Sequence, residues 1–383
     1  MRFEFATATR IVFGPGALAD LGGIAAPLGR RALLVTGRSA ERTPARSVLS
    51  SAGLAVVPFA AAGEPTVDEV RRGVATARAE GVDLVVSCGG GSAIDAGKAV
   101  AALLGNGGDP LDYLEVVGRA RPLGRPSLPF VAIPTTAGTG SEVTRNAVLA
   151  SPEHGVKASL RSPLTLARAA IVDPDLLIGV PPDILAASGL DAFAQLVEPF
   201  VSLRANPLVD GLCREGLLRS ARSLRRAFEG DRSEGVRVDL ALASLFGGLA
   251  LANAGLGAVH GFAAPVGGLF DAPHGAACAA LLPAVLRVNL RALTERRPQS
   301  PALARYQEIA AIVTGRPDAE ATEAVAWVEG LVRSLAVPSL SRWGATVGDL
   351  DRIVSRARAA SSMKGNPVEL EDAELLEIAR ASL

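Results

Sequence analysis

Strands alternate with helices through the first half of this 383-residue chain, and that alternation limits its fold more than any single motif. RALLVTG, from Arg31 to Gly37, reads as a strand stopped by glycine, and ARSVLSSAG as the helix after it. VDLVVSCGGG is another strand, with SAIDAGKAVAALL as its helix. LPFVAIPTTAGTGSE and ARAAIVDP supply two more strands, and MRFEFATATRIVFG alternates like an edge strand. Strands separated by helix-length stretches predict a mostly parallel sheet covered by helices on both faces. After IVDPDLLIGVPPDI the grammar changes to long helical patterns, among them ILAASGLDAFAQLVEPFVS and VDGLCREGLLRSARSLRRAF. The expectation is an α/β domain over residues 1–180 and an all-helical domain over residues 181–383, joined near Pro181-Pro182.

Composition removes several function classes. The 39 Lys and Arg balance 39 Asp and Glu, so there is no basic excess to neutralise phosphates and no nucleic-acid partner is expected. Gly, Asn, Asp or Arg interrupts every apolar run, so no membrane span is expected either. Cys88, Cys213 and Cys278 form no CxxC pair, which fits small core residues in a reducing cytoplasm.

Two polar loops point to a nucleotide. Gly89, Gly90 and Gly91 end a buried strand and open a helix, where close backbone approach and unpaired N–H groups suit a phosphate. The turn is not a P-loop, because Lys98 lacks a following Ser or Thr and no glycine sits at the required earlier position, and it is not the standard GxGxxG signature either. IPTTAGTGSEVT, rich in hydroxyls and glycine, follows another strand. Two such loops at strand ends predict a nucleotide crevice at a topological switch.

Two of the three histidines, His260 and His274, stand in the apolar stretch NAGLGAVHGFAAPVGGLFDAPHGAACAALLP. In SGLDAFAQLVEPF, Asp191 and Gln195 are four apart and share one helix face. A buried carboxylate needs a partner or a metal. Asp191, His260 and His274 make a set suited to a divalent transition metal with a position left open for substrate.

Together GGGSAIDAGKA, PTTAGTGSEVT, GLDAFAQLVEPFVS and the histidine stretch resemble the hallmark segments of the iron-containing (group III) alcohol dehydrogenases, in that family's order. The resemblance implies the dehydroquinate synthase-like fold: a Rossmann-like dinucleotide domain, an all-helical domain, and a cleft between them for cofactor and metal. It implies hydride transfer between NAD or NADP and an alcohol or carbonyl substrate. It places Gly90, Gly91 and Ser92 at the pyrophosphate, with Asp95 near the cofactor. Thr135 and Thr136 fall in a second phosphate and ribose loop, with Thr144 close by. Val148 would lie against the nicotinamide and Lys157 at its ribose. Asp191, His260 and His274 match metal ligands, the catalytic centre of the family, for iron or alternatively zinc or manganese. A homodimer is also implied.

Three departures qualify the match. Gln195 stands where the family's D-A-x-x-H pattern has a metal-binding histidine. The site is then completed by the amide oxygen, reduced to three ligands as in glycerol dehydrogenases, or without metal. Ala264 and Ala284 replace histidines common in relatives, so the alcohol's proton cannot leave through those imidazoles and is expected to exit through water and the cofactor ribose. Gly37, followed by Arg38 and Ser39, replaces the acidic residue of NAD-specific relatives. This favours NADP, or tolerance of both cofactors, and a strong kcat/KM preference for NADH over NADPH would overturn it. Alternative functions are a metal-free carbonyl reductase resembling maleylacetate reductase and, more remotely, a dehydroquinate synthase-like lyase. Phe193, Phe200, Phe262 and Phe270 are candidates for an apolar substrate pocket or for plain core, and His154 reads as a surface residue.

Overall fold

A computed structural model describes residues 2–37, 43–61 and 63–383. The chain forms two compact units. One comprises Phe5–Thr136 and Gly140–Ile178; the other comprises Gly179–Leu383 with residues 2–4 and Ala137–Thr139.

The first unit holds strands β1 (Ile11–Phe13), β2 (Arg31–Thr36), β3 (Ala55–Ala60), β4 (Leu84–Gly89) and β5 (Phe130–Pro134). β6 (Asn146–Ser151), β7 (Val156–Arg161) and β8 (Ala169–Val172) complete the strands. Its helices are α1 (Leu21–Ala25), α2 (Pro44–Ser51), α3 (Val67–Ala79), α4 (Gly91–Asn106) and α5 (Pro110–Tyr113). Six strands form one parallel sheet in the order β1-β8-β5-β4-β2-β3. β4, β5 and β8 are buried along their whole length, which is why they read as continuous apolar runs rather than alternating ones. α4 lies directly on β4: a Cβ at Gly97 would stand 2.0 Å from Ser87 Oγ.

Three features depart from the sequence reading. The N-terminal stretch forms only a three-residue strand, because its partner β8 is itself short and runs into Asp173-Pro174. β3, unremarked in the sequence, sits at the sheet edge, where Pro58 can be accommodated. β6 and β7 form a separate antiparallel hairpin whose alternating burial is hidden in the sequence by small residues.

The second unit is helical: α6 (Pro182–Val201), α7 (Pro207–Phe228), α8 (Glu234–Ala254), α9 (Ala258–Phe270) and α10 (His274–Arg296). α11 (Pro301–Thr314), α12 (Ala321–Ser334), α13 (Leu350–Ala359) and α14 (Asp372–Ala381) follow. Every residue of α6 from Gly189 to Val201 is buried, so this helix is the unit's centre. Against the sequence expectation, α6, α8 and α10 are long and apolar enough to cross a membrane. Neighbouring helices bury 83%, 61% and 78% of their apolar windows, and that packing accounts for the composition.

Candidate nucleotide site and metal centre

β2 and β4 are neighbours, yet β2 leads to β3 on one side and β4 to β5 on the other. Such a switch point is where open parallel sheets bind ligands, at the carboxyl ends of the strands. Gly37 follows β2 there, and a Cβ at Gly89 would lie 3.4 Å from its backbone nitrogen. Gly90 caps α4 without a side-chain hydrogen bond, so no side chain of the cap screens the helix N-terminus at Gly91 and Ser92. Thr135 N–H donates to Gly89 O at 3.0 Å, and a Cβ at Gly90 would lie 3.4 Å from Thr136 Oγ1. Gly37, Gly90, Gly91, Ser92, Thr135 and Thr136 therefore share one rim. Arg38 and Ser39 lie outside the described residues.

Asp95, Thr144 and Val148 form the framework behind that rim. Ser141 Oγ–H donates to one Asp95 oxygen in a short bond, and Val148 N–H donates to the other at 3.0 Å. Lys98, three residues after Asp95 and not a phosphate-binding lysine of P-loop type, is 1% exposed. Its ammonium donates to the carbonyls of Ser141, Thr144 and Asn146 at 2.7, 3.1 and 2.8 Å. It also reaches the hydroxyls of Ser141 and Thr144. Burial lowers the lysine to about 8 against the charges of Asp95 and Glu142. Burial likewise pushes the Glu142 carboxyl up to about 7, opposed by its own backbone N–H and by Lys98. Lys157 pairs with Glu64, and His154 is an exposed residue bonded to Ser151 Oγ at 2.7 Å.

In the helical unit, α6 aligns Asp191, Gln195 and Glu198 at one-turn intervals, α9 carries His260, and α10 begins at His274. Glu198, unnoticed in the sequence despite its i+7 spacing from Asp191, accepts from Val259 N–H and His260 Nδ1, each at 2.6 Å. A carboxylate at Nδ1 assigns the proton to that nitrogen and leaves the Nε2 lone pair facing outward. His260 Nε2 then meets Asp191 Oδ1 at 3.2 Å, an arrangement that calls for a cation or a proton between them. His274 Nε2 lies 3.9 Å from Asp191 Oδ1 and 3.7 Å from Cys278 Sγ. One donor atom from each of Asp191, His260, His274 and Cys278 falls within 4.8 Å of all the others.

Gly257 makes room for this arrangement. A Cβ there would stand 3.0 Å from Glu198 Oε1 and 2.9 Å from Asn366 Oδ1. Electrostatics agree with the geometry. The charges of Cys278 and Asp191 raise His274 to about 9 against burial. Burial pulls His260 down, but Cys278, Glu198 and Asp191 hold it well above the imidazole range. Burial would raise Asp191, yet the two imidazoles keep it below the usual carboxylate range. The pocket thus attracts positive charge, for which a divalent cation competes with protons.

Gln195 is 2% exposed, and its Oε1, facing Gly247 of α8, has no hydrogen-bond partner among the described residues. Cys278, which reads as plain core in the sequence, stands four residues after His274 on α10, a spacing that places both on one face. Phe193, Phe200 and Phe262 are fully buried core. Phe193 stacks on Trp327 at 5.6 Å, and Phe200 lies under Arg214 and Arg305. Phe270 is half-buried under Arg352, while Ala264 and Ala284 bring no polar group to the helices that carry the histidines.

Comparison with known proteins decides the family. The profile described as iron-containing alcohol dehydrogenase matches residues 8–174, and that of the family's C-terminal region matches residues 185–383. The chain belongs to the iron-containing alcohol dehydrogenase family. A 1,3-propanediol dehydrogenase of Klebsiella pneumoniae is 34% identical, over 99% of this chain and 98% of its own. A crystal structure of a 1,3-propanediol oxidoreductase superimposes with a TM-score of 0.91 at 34% identity, covering 100% of both chains. A sulfoacetaldehyde reductase from Bifidobacterium kashiwanohense in complex with NAD+ gives 0.87 at 27% identity, covering 100% of this chain and 99% of its own. Membership makes this chain an oxidoreductase, an alcohol dehydrogenase or aldehyde reductase working with NAD(P) and a divalent metal.

Proposed function

We propose that Asp191, His260 and His274 hold the divalent cation of this dehydrogenase, and that the rim of Gly37, Gly90, Gly91, Ser92, Thr135 and Thr136 takes the NAD(P) phosphates and ribose. The observation that carries the reading is the convergence of one carboxylate and two imidazoles from three helices on one small volume. A cation held there supplies Lewis acidity, lowering the pKa of a bound alcohol or polarising a bound carbonyl. Asp191 contributes the negative charge that would fix the cation, from a side chain only 1% exposed. Glu198 is a positioning residue, holding His260 in one tautomer and one ring orientation. Ala264 and Ala284 offer no proton acceptor, so a water molecule carries the alcohol proton out.

The substrate reading is a small primary alcohol or diol and its aldehyde. It rests on the relatives that act on 1,3-propanediol, since the buried phenylalanines give no support for an aromatic pocket. Three buried free cysteines support a reducing, cytoplasmic setting, and family resemblance supports a homodimer. Exhaustive chelation, followed by re-addition of one equivalent of zinc, iron or manganese, tests the reading. Activity should fall by at least about 100-fold and return with metal. Full activity in metal-free protein would favour the maleylacetate reductase-like alternative instead.

A further inference from the structure

We propose that the Cys278 thiolate is a metal ligand, replacing the imidazole that the chain lacks at position 195 and biasing the centre toward zinc over iron. The inference rests on the reading that Asp191, His260 and His274 hold a cation.

Three of the six donor–donor edges lie near those of a tetrahedral zinc site, and all six are within 4.8 Å. Zinc–nitrogen and zinc–oxygen bonds near 2.0 Å, with zinc–sulfur near 2.3 Å, place N and O donors about 3.3 Å apart and N and S donors about 3.5 Å apart. The protein spaces Asp191 Oδ1 and His260 Nε2 at 3.2 Å, Asp191 Oδ1 and His274 Nε2 at 3.9 Å, and His274 Nε2 and Cys278 Sγ at 3.7 Å. Small adjustments close all three edges on one ion. His274 and Cys278 stand one turn apart on α10, so the helix that delivers the imidazole also delivers the sulfur.

The other two cysteines show what a structural thiol looks like in this protein. Cys88 takes a hydroxyl hydrogen bond from Thr43, and burial pushes Cys213 far above the ordinary thiol range. Cys278 instead faces two imidazoles and a carboxylate. Ligand chemistry favours it over the neutral amide of Gln195: a thiolate brings charge and softness, and soft sulfur selects zinc, whereas an amide oxygen suits harder ions. Binding converts the thiol to thiolate and releases its proton to solvent. An entry route for substrate remains, because the His274 side chain is 36% exposed while those of Asp191 and His260 are 1% and 5% exposed. A substrate oxygen can therefore reach a fifth position from the His274 side.

Metal-free full-length protein, kept reduced, is titrated with Co(II) and separately with zinc and Fe(II), for wild type, C278A, C278S and Q195A. Wild type and Q195A should show the near-ultraviolet thiolate-to-cobalt charge-transfer band, and both Cys278 variants should lack it. Zinc Kd should rise at least about 100-fold in C278A, with a smaller change for Fe(II), so that selectivity for zinc falls. Wild type that binds one equivalent of cobalt without the band, or C278A that binds zinc as tightly as wild type, would overturn the role of Cys278 and leave the three-residue centre standing. Wild type that takes up no cobalt or zinc would overturn both.

Discussion

Asp191→Ala protein is expected to carry less than about a tenth of the wild-type metal and to lose about 10³- to 10⁴-fold in kcat/KM. Asp191 is the carboxylate common to the whole donor set, facing His260 Nε2 at 3.2 Å and His274 Nε2 at 3.9 Å. It lies at the centre of α6 with a 1% exposed side chain, so neither water nor another acid can replace its charge. Without it, two imidazoles and the Cys278 sulfur must hold a dication with no facing carboxylate. Metal analysis and steady-state kinetics on the same preparation check the result. Stoichiometric metal with activity within tenfold of wild type would show that Asp191 is not a ligand. Comparison with Glu198→Gln separates holding from positioning. That variant keeps a hydrogen-bond acceptor for His260 but loses charge, and a drop in metal affinity of only about 10- to 100-fold is expected.

What could be read in advance follows from range. Periodicity over ten or more residues exposed the long helices, and strands buried on both faces exposed β2, β4, β5 and β8, because burial acts on every residue of such segments. The hairpin β6–β7 was not legible: NAVLAS and VKASLR carry small residues on both faces, so the alternation in burial leaves little trace in hydropathy. Asp191, His260 and His274 stood out because polar groups in apolar helices are conspicuous. Glu198 and Cys278 did not. A glutamate one turn beyond Gln195 reads as an ordinary helix former, and a cysteine among alanines reads as core; helical spacing from Asp191 and His274 is a hint, and the fold shows that both face imidazoles. Lys98 was passed over for the opposite reason. Its spacing excludes a P-loop lysine, and its work is done inside the protein, against backbone carbonyls that no side-chain pattern reveals.

That lysine carries the second large effect. Lys98→Met is expected to destabilise the protein by about 3–5 kcal/mol, because it strips a buried cation from the carbonyls of Thr144 and Asn146 and leaves them without that donor. The loss should depend on pH, through Glu142. In the folded protein this carboxyl binds its proton at about 7, against 4.5 in the unfolded chain. Between those values the folded state holds more protons than the unfolded one, so stability declines as pH rises through the interval. Lys98 opposes the shift, and its removal raises the Glu142 carboxyl further and extends the decline to higher pH. At pH 5 Glu142 is protonated in either protein, and the lost hydrogen bonds and the lost Asp95 partner register; at pH 8 the buried Glu142 charge adds to them. Denaturant unfolding at both values measures the difference, and Glu142→Gln in the Lys98→Met background should remove the excess at pH 8 while leaving the loss at pH 5. The same loop leads from Thr135 and Thr136, so cofactor affinity should fall by about tenfold or more in Lys98→Met protein that is still folded. Equal loss of stability at both pH values, with cofactor affinity unchanged, would show that Lys98 is a passive core residue and that the rim is held by the sheet alone.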